Sequence, residues 1–283
     1  MNKGTVNDTP PKGGPPPKGE PPPEGGPPPE APETPAPILL EGLLSVDAAL
    51  KARSRPVSAV IVRENSRDYE IGKLIKTAEA AAIPVYRTPE AEIDALAQGN
   101  THGGVIAFAG ERRTLPLERL LYGIDRPLIV MLDGVEDPFN YGQSIRAFYA
   151  AGAHGLVVRP RAWTGRAEGI VARASAAASE WMPTAQAESV EAAADVFRAH
   201  GLKIAAADKH RRAVSVFEAD LAVPLFLVIG GEKRGITRSF ADSADVRVTI
   251  PYGRDFEASL GTTAAASVLA FELLRQRMAR QVR

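Results

Sequence analysis

Residues 225–235 read LFLVIGGEKRG, an unbroken apolar run that ends in a glycine-rich polar loop. Apolar runs without alternation are typical of strands buried on both faces, as in a parallel sheet covered by helices. A glycine-rich loop directly after such a strand lets backbone N–H and C=O groups approach a ligand closely. This stretch therefore predicts an α/β fold with a ligand site at the carboxyl end of its sheet.

The same alternation of strands and helices extends over residues 128–283. Strands are predicted at residues 128–132, 155–158, 202–206, 225–229 and 246–250. Helices are predicted at roughly 142–152, 165–178, 189–200 and 262–280. These residues are expected to form one domain around a parallel sheet.

The residues before this domain divide into three parts. Residues 1–37 hold 14 of the 24 prolines and are predicted to be a disordered Pro/Gly-rich tail. Residues 38–110 alternate strand and helix patterns and predict a small α/β domain. Residues 111–127 are charged, contain two prolines, and are predicted to be a linker.

Composition excludes several classes of protein. Lys plus Arg is 34 and Asp plus Glu is 34, so a basic coat over the whole surface is absent, although a local basic patch remains compatible with the sequence. The chain has no cysteine, which excludes disulfides, thiolate metal sites and a cysteine nucleophile. Its four histidines lack metal-ligand spacing, and no apolar run approaches a membrane span. A cytoplasmic protein without metal or membrane contact is predicted.

Three polar clusters follow predicted strands, where open α/β sheets bind their ligands. They are NYGQSIR at residues 140–146, GGEKRG at 230–235, and IPY at 250–252 followed by residues 255–263. No dinucleotide-binding, P-loop or nucleophile-elbow motif is present in the sequence. The ordered set of three clusters is a more specific signal than any one of them.

The three clusters together resemble the motifs of the SpoU (TrmH-like) RNA ribose 2′-O-methyltransferases of the SPOUT class. Asn140-x-Gly142-x-x-x-Arg146 is similar to the first motif of that family, residues 227–236 to the second, and residues 248–267 to the third. The resemblance covers about residues 38–283. The first domain resembles the small RNA-binding domain that many members carry.

The resemblance implies the fold, the cofactor and the partners. The implied fold is a SPOUT domain whose parallel sheet ends in a trefoil knot, and the implied assembly is a homodimer with its sites at the subunit interface. The implied reaction moves a methyl group from S-adenosyl-L-methionine (AdoMet) to a ribose 2′-hydroxyl of RNA, either ribosomal RNA of the 23S guanosine type or tRNA. No metal is needed for it.

The resemblance also implies roles for individual residues. Arg146 is the expected catalytic arginine, and phosphate clamping suits it because a guanidinium is a poor base. Asn140 is expected to bind the ribose or fix Arg146, and Glu232 to orient either of them. The residues expected to bind the cofactor are Gly230, Gly231, Gly235, Ile250, Pro251, Tyr252 and Leu260.

One departure keeps other functions open. The family commonly has Asn directly after the Ser-Leu pair of the third motif, whereas this chain has Gly261 followed by two threonines. A non-catalytic RNA-binding or ribosome-assembly protein on the same fold is therefore one alternative, and a SPOUT enzyme that methylates a base is another. Candidate RNA contacts are Arg63, Arg67, Lys73, His102, Arg112, Arg113, Arg159, Arg161, Arg166 and Arg173.

Overall fold

The computed structural model describes residue 1 and residues 37–99, 101–160, 165–231, 233 and 235–281. The predicted Pro/Gly-rich tail therefore lies almost entirely outside the described residues. Glu232 lies outside them as well. The described residues from 37 onwards belong to one compact unit.

The first sheet is built by residues 38–109. In chain order its elements are β1 (Ile38–Glu41), α1 (Leu43–Ala52), β2 (Val57–Arg63), α2 (Tyr69–Ala80), β3 (Val85–Thr88), α3 (Glu90–Leu96) and β4 (Val105–Ala109). The strand order is β1-β4-β2-β3, with β4 antiparallel to both of its neighbours and β2 parallel to β3. A small α/β arrangement is thus present, as predicted.

The sequence patterns do not predict β1 and α1. Gly42 alone separates the two elements, at φ 84°, and only Glu41 and Gly42 interrupt the apolar run between strand and helix. Periodicity cannot assign such a run to strand or helix.

Residues 110–281 contain a second, larger set of elements. They are a short 3-10 helix (Leu117–Leu121), β5 (Leu128–Asp133), α4 (Pro138–Ala150), β6 (Gly155–Val158), α5 (Gly165–Ala174), α6 (Ala178–Trp181), β7 (Thr184–Gln186), α7 (Val190–Ala199), β8 (Lys203–Ala207), β9 (Val214–Ser215), β10 (Leu225–Gly230), α8 (Arg238–Ser243), β11 (Val246–Thr249) and α9 (Thr262–Gln281). Leu120 of the 3-10 helix is buried against the second sheet, so part of the predicted linker packs there.

The second sheet has seven strands in the order β7-β6-β5-β10-β8-β11-β9, and every neighbouring pair is parallel. The predicted parallel sheet is therefore confirmed. Both faces are covered: α4 and α9 bury Phe148 and Leu269 on one side, while α7 and α8 bury Phe197 and Phe240 on the other. This double burial explains why the strands read as continuous apolar runs. Among the described residues, no helix has the length and apolar character of a membrane span.

Two predicted helices differ from those observed. α4 begins four residues earlier than predicted. The Asp137 carboxylate caps it by accepting a hydrogen bond from the backbone N–H of Asn140 at 2.7 Å, and Pro138 occupies the first helical position. The predicted helix at 165–178 is broken, because Ala176 and Ala177 adopt positive φ values of 48° and 67° between α5 and α6.

A buried ion cluster joins the first sheet's elements to those of the second. The Glu180 carboxylate, fully buried, accepts hydrogen bonds from Arg55 at 3.0 Å and from Arg112 at 2.8 Å. Burial by itself raises the pKa of Glu180, but the charges of Arg112 and Arg55 outweigh it and lower that pKa from 4.5 to about 2. The carboxylate is therefore held ionised in the interior.

Candidate functional site

A cavity of about 320 Å³ opens at the carboxyl ends of β10, β8 and β11. Its floor is made by strand-end residues such as Ile229 and Ala207, and its roof by part of the segment 252–260 and the start of α9. This is the edge at which open parallel sheets bind ligands. The site predicted from residues 225–235 thus has a matching cavity.

Most residues predicted to bind the cofactor line this cavity. They are Gly230, Gly231, Gly235, Ile250, Tyr252 and Leu260. Pro251 does not line it, because it lies exposed at the rim between two residues that do.

The glycine-rich loop after β10 is closed by contacts between backbone atoms. A Cβ added at Gly230 would lie 2.3 Å from the carbonyl carbon of Gly235, and one added at Gly231 would lie 1.9 Å from the carbonyl oxygen of Gly134. The Gly235 amide also donates to the Gly231 carbonyl at 2.9 Å. Glycine is required here because no side chain fits where these backbone segments meet.

Sequence analysis missed two polar residues that line the cavity, Asp208 and Lys209. They directly follow β8, which lies beside β10 in the sheet. A polar residue at the end of a predicted strand is the signal that identified the other clusters, and it also identifies these two residues. They were missed because no glycine-rich loop follows the predicted strand 202–206.

Asn140 lies in the first turn of α4, close to the start of α9. Its carboxamide oxygen accepts a hydrogen bond from the Thr263 hydroxyl at 3.4 Å, and Thr262 next to it lines the cavity. The structure therefore joins the first motif to the third, over 123 positions of sequence. Gly142, two residues further on, lies against α5, where an added Cβ would lie 2.8 Å from Ala174 Cβ and from the Val171 carbonyl oxygen.

Arg146 lies apart from Asn140. Its side chain is exposed, and no hydrogen bond or ion pair joins it to any other residue within the described ranges. Six positions along a helix place the two residues about 120° apart around its axis and about 9 Å apart along it. The described contacts include none between these two predicted catalytic residues, and the position of Glu232, the third, lies outside the described residues.

The predicted RNA contacts fall into two groups. Several have protein partners: Arg63 with Glu90, Lys73 with Glu70, His102 with Asp94, Arg112 with Glu180, Arg159 with Asp133 and Arg173 with Glu41. Arg67, Arg113 and Arg166 are exposed and have no ion pair with other residues that the structure describes. Arg161 lies outside the described residues. The exposed, unpaired guanidiniums are the better placed for phosphate.

The fold and the cavity define an α/β protein with a cavity at the carboxyl edge of its parallel sheet. Residues 127–271 match the model of the SpoU rRNA Methylase family, and residues 39–115 match that of the RNA 2′-O ribose methyltransferase substrate-binding domain. The chain belongs to the SpoU rRNA methylase family, which confirms the predicted resemblance.

Individual relatives agree with this membership. A 23S rRNA (guanosine-2′-O-)-methyltransferase RlmB from Ralstonia nicotianae is 32% identical over 242 residues, which cover 84% of this chain and 96% of the relative. The SpoU methyltransferase AviRb from Streptomyces viridochromogenes superimposes with a TM-score of 0.72 at 26% identity, covering 86% of this chain and 91% of that one. A structure of AviRb in complex with AdoMet shares the fold with the same TM-score, at 22% identity over the same shares of the two chains.

Proposed function

We propose that this protein is an AdoMet-dependent RNA methyltransferase that methylates a ribose 2′-hydroxyl, with 23S ribosomal RNA as its substrate and a guanosine as the target. The observation that carries the proposal is the cavity at the carboxyl edge of the sheet, which the second and third family motifs build together. The relatives named as 23S rRNA guanosine methyltransferases support the choice of substrate.

The residues around the cavity fit AdoMet. About 320 Å³ is within the range of small-molecule sites, roughly 300–1,000 Å³. Ile229, Ile236 and Leu260 offer apolar surface for an adenine ring, while the Asp208 carboxylate offers an acceptor and a negative charge. Together with the backbone of Gly230 and Ile250, these residues would hold the cofactor. When bound, AdoMet supplies a methyl group on a sulfonium, an electrophile strong enough to react without a metal.

The remaining residues act on the RNA. The Asn140 amide, held by Thr263 beside the cavity, orients the ribose. The exposed Arg146 guanidinium donates two parallel hydrogen bonds to two oxygens of a substrate phosphate. Glu232 orients Arg146 or Asn140. The first sheet and its helices bind RNA outside the target nucleotide.

The assembly is a homodimer with the site at the subunit interface. Support comes from Arg146, which is exposed and makes no described contact with Asn140, so its guanidinium is available to a second copy of the chain. Phe271 and Met278 on α9 are exposed apolar residues suited to such an interface. The chain passes through a loop to form a trefoil knot around the cavity, and the enzyme works in the cytoplasm.

The test is methyl transfer from labelled AdoMet to RNA lacking 2′-O-methyl groups, followed by nucleoside analysis. The expected product is 2′-O-methylguanosine at one position of 23S rRNA. Label in a methylated base would favour the base-methylating alternative.

A second candidate is a non-catalytic RNA-binding protein of ribosome assembly, and the observation that favours it is Gly261. A Cβ at Gly261 would meet no atom within 4 Å, so the backbone leaves room for the family's Asn although this chain lacks it. Tight binding of AdoMet and RNA without methylation of any RNA pool would support this candidate.

A further inference from the structure

Lys209 is joined to three consecutive carbonyl groups of the segment that roofs the cavity. Its ammonium donates hydrogen bonds to the backbone oxygens of Phe256, Glu257 and Ala258, at 2.9, 2.6 and 3.0 Å. An ammonium has three N–H donors, so this arrangement uses all of them. The segment therefore curls around one positive charge that is fixed at the end of β8.

Tyr252 strengthens the same attachment from inside the segment. The Lys209 nitrogen lies 5.0 Å from the centre of the Tyr252 ring, within the range of a cation–π contact. The Tyr252 hydroxyl accepts a hydrogen bond from the Leu260 amide at 3.0 Å, which ties the two ends of the segment together. Lys209, Tyr252 and Leu260 all line the cavity.

The segment has few other attachments. Residues 253–261 contain no helix or strand, and all of them are exposed. A segment without buried apolar side chains opens easily unless specific bonds hold it. Its position over the cavity thus depends on Lys209 more than on packing.

We propose that Lys209 is a positioning residue that fastens the segment 252–260 over the cavity and so retains the cofactor. The inference rests on the proposed function, because it takes AdoMet as the occupant. Lys209 acts through the segment and need not contact the reacting atoms.

The test compares Lys209→Met with Lys203→Met, which alters a lysine at the opposite end of the same strand. In the cofactor-free protein, trypsin is expected to cut after the exposed Arg254 several-fold faster in Lys209→Met than in the wild type or Lys203→Met. AdoMet binding, measured by calorimetry, is expected to weaken about tenfold in Lys209→Met only. Lys209→Arg, which keeps the charge and several donors, is expected to recover part of both properties.

Equal cleavage at Arg254 and equal AdoMet affinity in Lys209→Met and the wild type would overturn the inference. A wild-type protein that binds no AdoMet would instead overturn the proposed function and, with it, the retention of cofactor. The cleavage rates would then still decide whether Lys209 anchors the segment, so the two failures are distinguishable.

Discussion

At the scale of single residues, the site separates side chains that fold the protein from side chains that are free to act. Gly231 belongs to the first kind, since a side chain in place of its Cα hydrogen would collide with the Gly134 backbone. Arg146 belongs to the second kind, since its guanidinium is exposed and has no ion pair with other described residues. A substitution at Gly231 is therefore expected to lower stability, whereas one at Arg146 is expected to lower activity and leave stability unchanged.

Arg146→Ala is expected to lower methyl transfer at least about a hundredfold through loss of the phosphate contact. Its free energy of unfolding is expected to stay within about 0.5 kcal/mol of the wild type, because the side chain is exposed. Methyl incorporation into RNA and urea unfolding measure the two effects. Arg146→Lys keeps the charge without the planar fork, and its methyl transfer activity should fall between those of the wild type and Arg146→Ala. Undiminished turnover in Arg146→Ala would remove Arg146 from the catalytic assignment.

Gly231→Ala is expected to destabilise the protein by about 1–3 kcal/mol, because the new methyl group would lie 1.9 Å from a backbone oxygen that cannot move alone. AdoMet affinity is expected to fall with it, since the loop lines the cavity. Gly72→Ala is the control, as a Cβ there meets no atom within 4 Å and α2 contributes no residue to the cavity lining. Urea unfolding and calorimetry of both variants check the expectation, which fails if the two behave alike.

At the scale of elements, the close packing of α4 on α5 sets the position of the first motif. Gly142 lets the two helices approach until a Cβ would lie 2.8 Å from Val171 O. Asp137 caps α4 and fixes where it begins, so that Asn140 faces the start of α9. The motif's glycine therefore has a packing role, while its asparagine points to the site.

A pair of helical glycines tests this reading. Gly142→Ala is expected to lower the free energy of unfolding by about 1–3 kcal/mol through overpacking. Gly72→Ala in α2 is expected to raise it by about 0.5–1 kcal/mol, because its Cβ meets no atom and alanine restricts the unfolded chain. Urea unfolding of the two variants gives both values. A Gly142→Ala protein as stable as Gly72→Ala would show that α4 and α5 can separate freely.

At the scale of the whole molecule, the buried ion cluster around Glu180 connects the first sheet's elements with those of the second. Ser54 and Arg55 come from the end of α1, and Glu180 from α6. The ion pair of Glu41 with Arg173 adds a second connection, and Gly169 lets α5 lie directly on β1. The first sheet's elements are thereby held at a set distance from the cavity.

Glu180→Gln is expected to destabilise the protein by about 3 kcal/mol at pH 7, because the buried Arg55 charge loses its buried carboxylate and keeps only the more exposed Glu168 carboxylate, at 3.2 Å. The pKa of Glu180 is lowered from 4.5 to about 2 by folding, so its contribution is complete above about pH 4.5 and is lost as the pH falls towards 2. Unfolding in urea at several pH values should therefore show a weaker acid dependence in the variant.

Glu90→Gln is the control for this series, because its partner Arg63 is exposed and surface pairs contribute about 0–1 kcal/mol. If Glu180→Gln and Glu90→Gln lose similar stability and keep the same pH dependence, the buried cluster does not hold the two parts together.

The accuracy of the sequence-based predictions follows the range of the interactions. The strand at 155–158 is observed as predicted, because a short apolar run between turn residues is a local signal. The break between α5 and α6 is not predicted, since two alanines at positive φ are disfavoured by their own propensity and are held there by surrounding structure. The very short strands β7 and β9 are missed for the same reason: they exist only because a neighbouring strand pairs with them.

The sequence alone determined the parallel sheet, the family and six of the residues that line the cavity, because apolar runs and glycine-rich loops are written in consecutive residues. Only the tertiary structure decided that Lys209 holds the carbonyls of residues 256–258 and that Thr263 bonds Asn140. These relations join residues far apart along the chain. Their distances follow from strand order and helix packing, which no local pattern encodes.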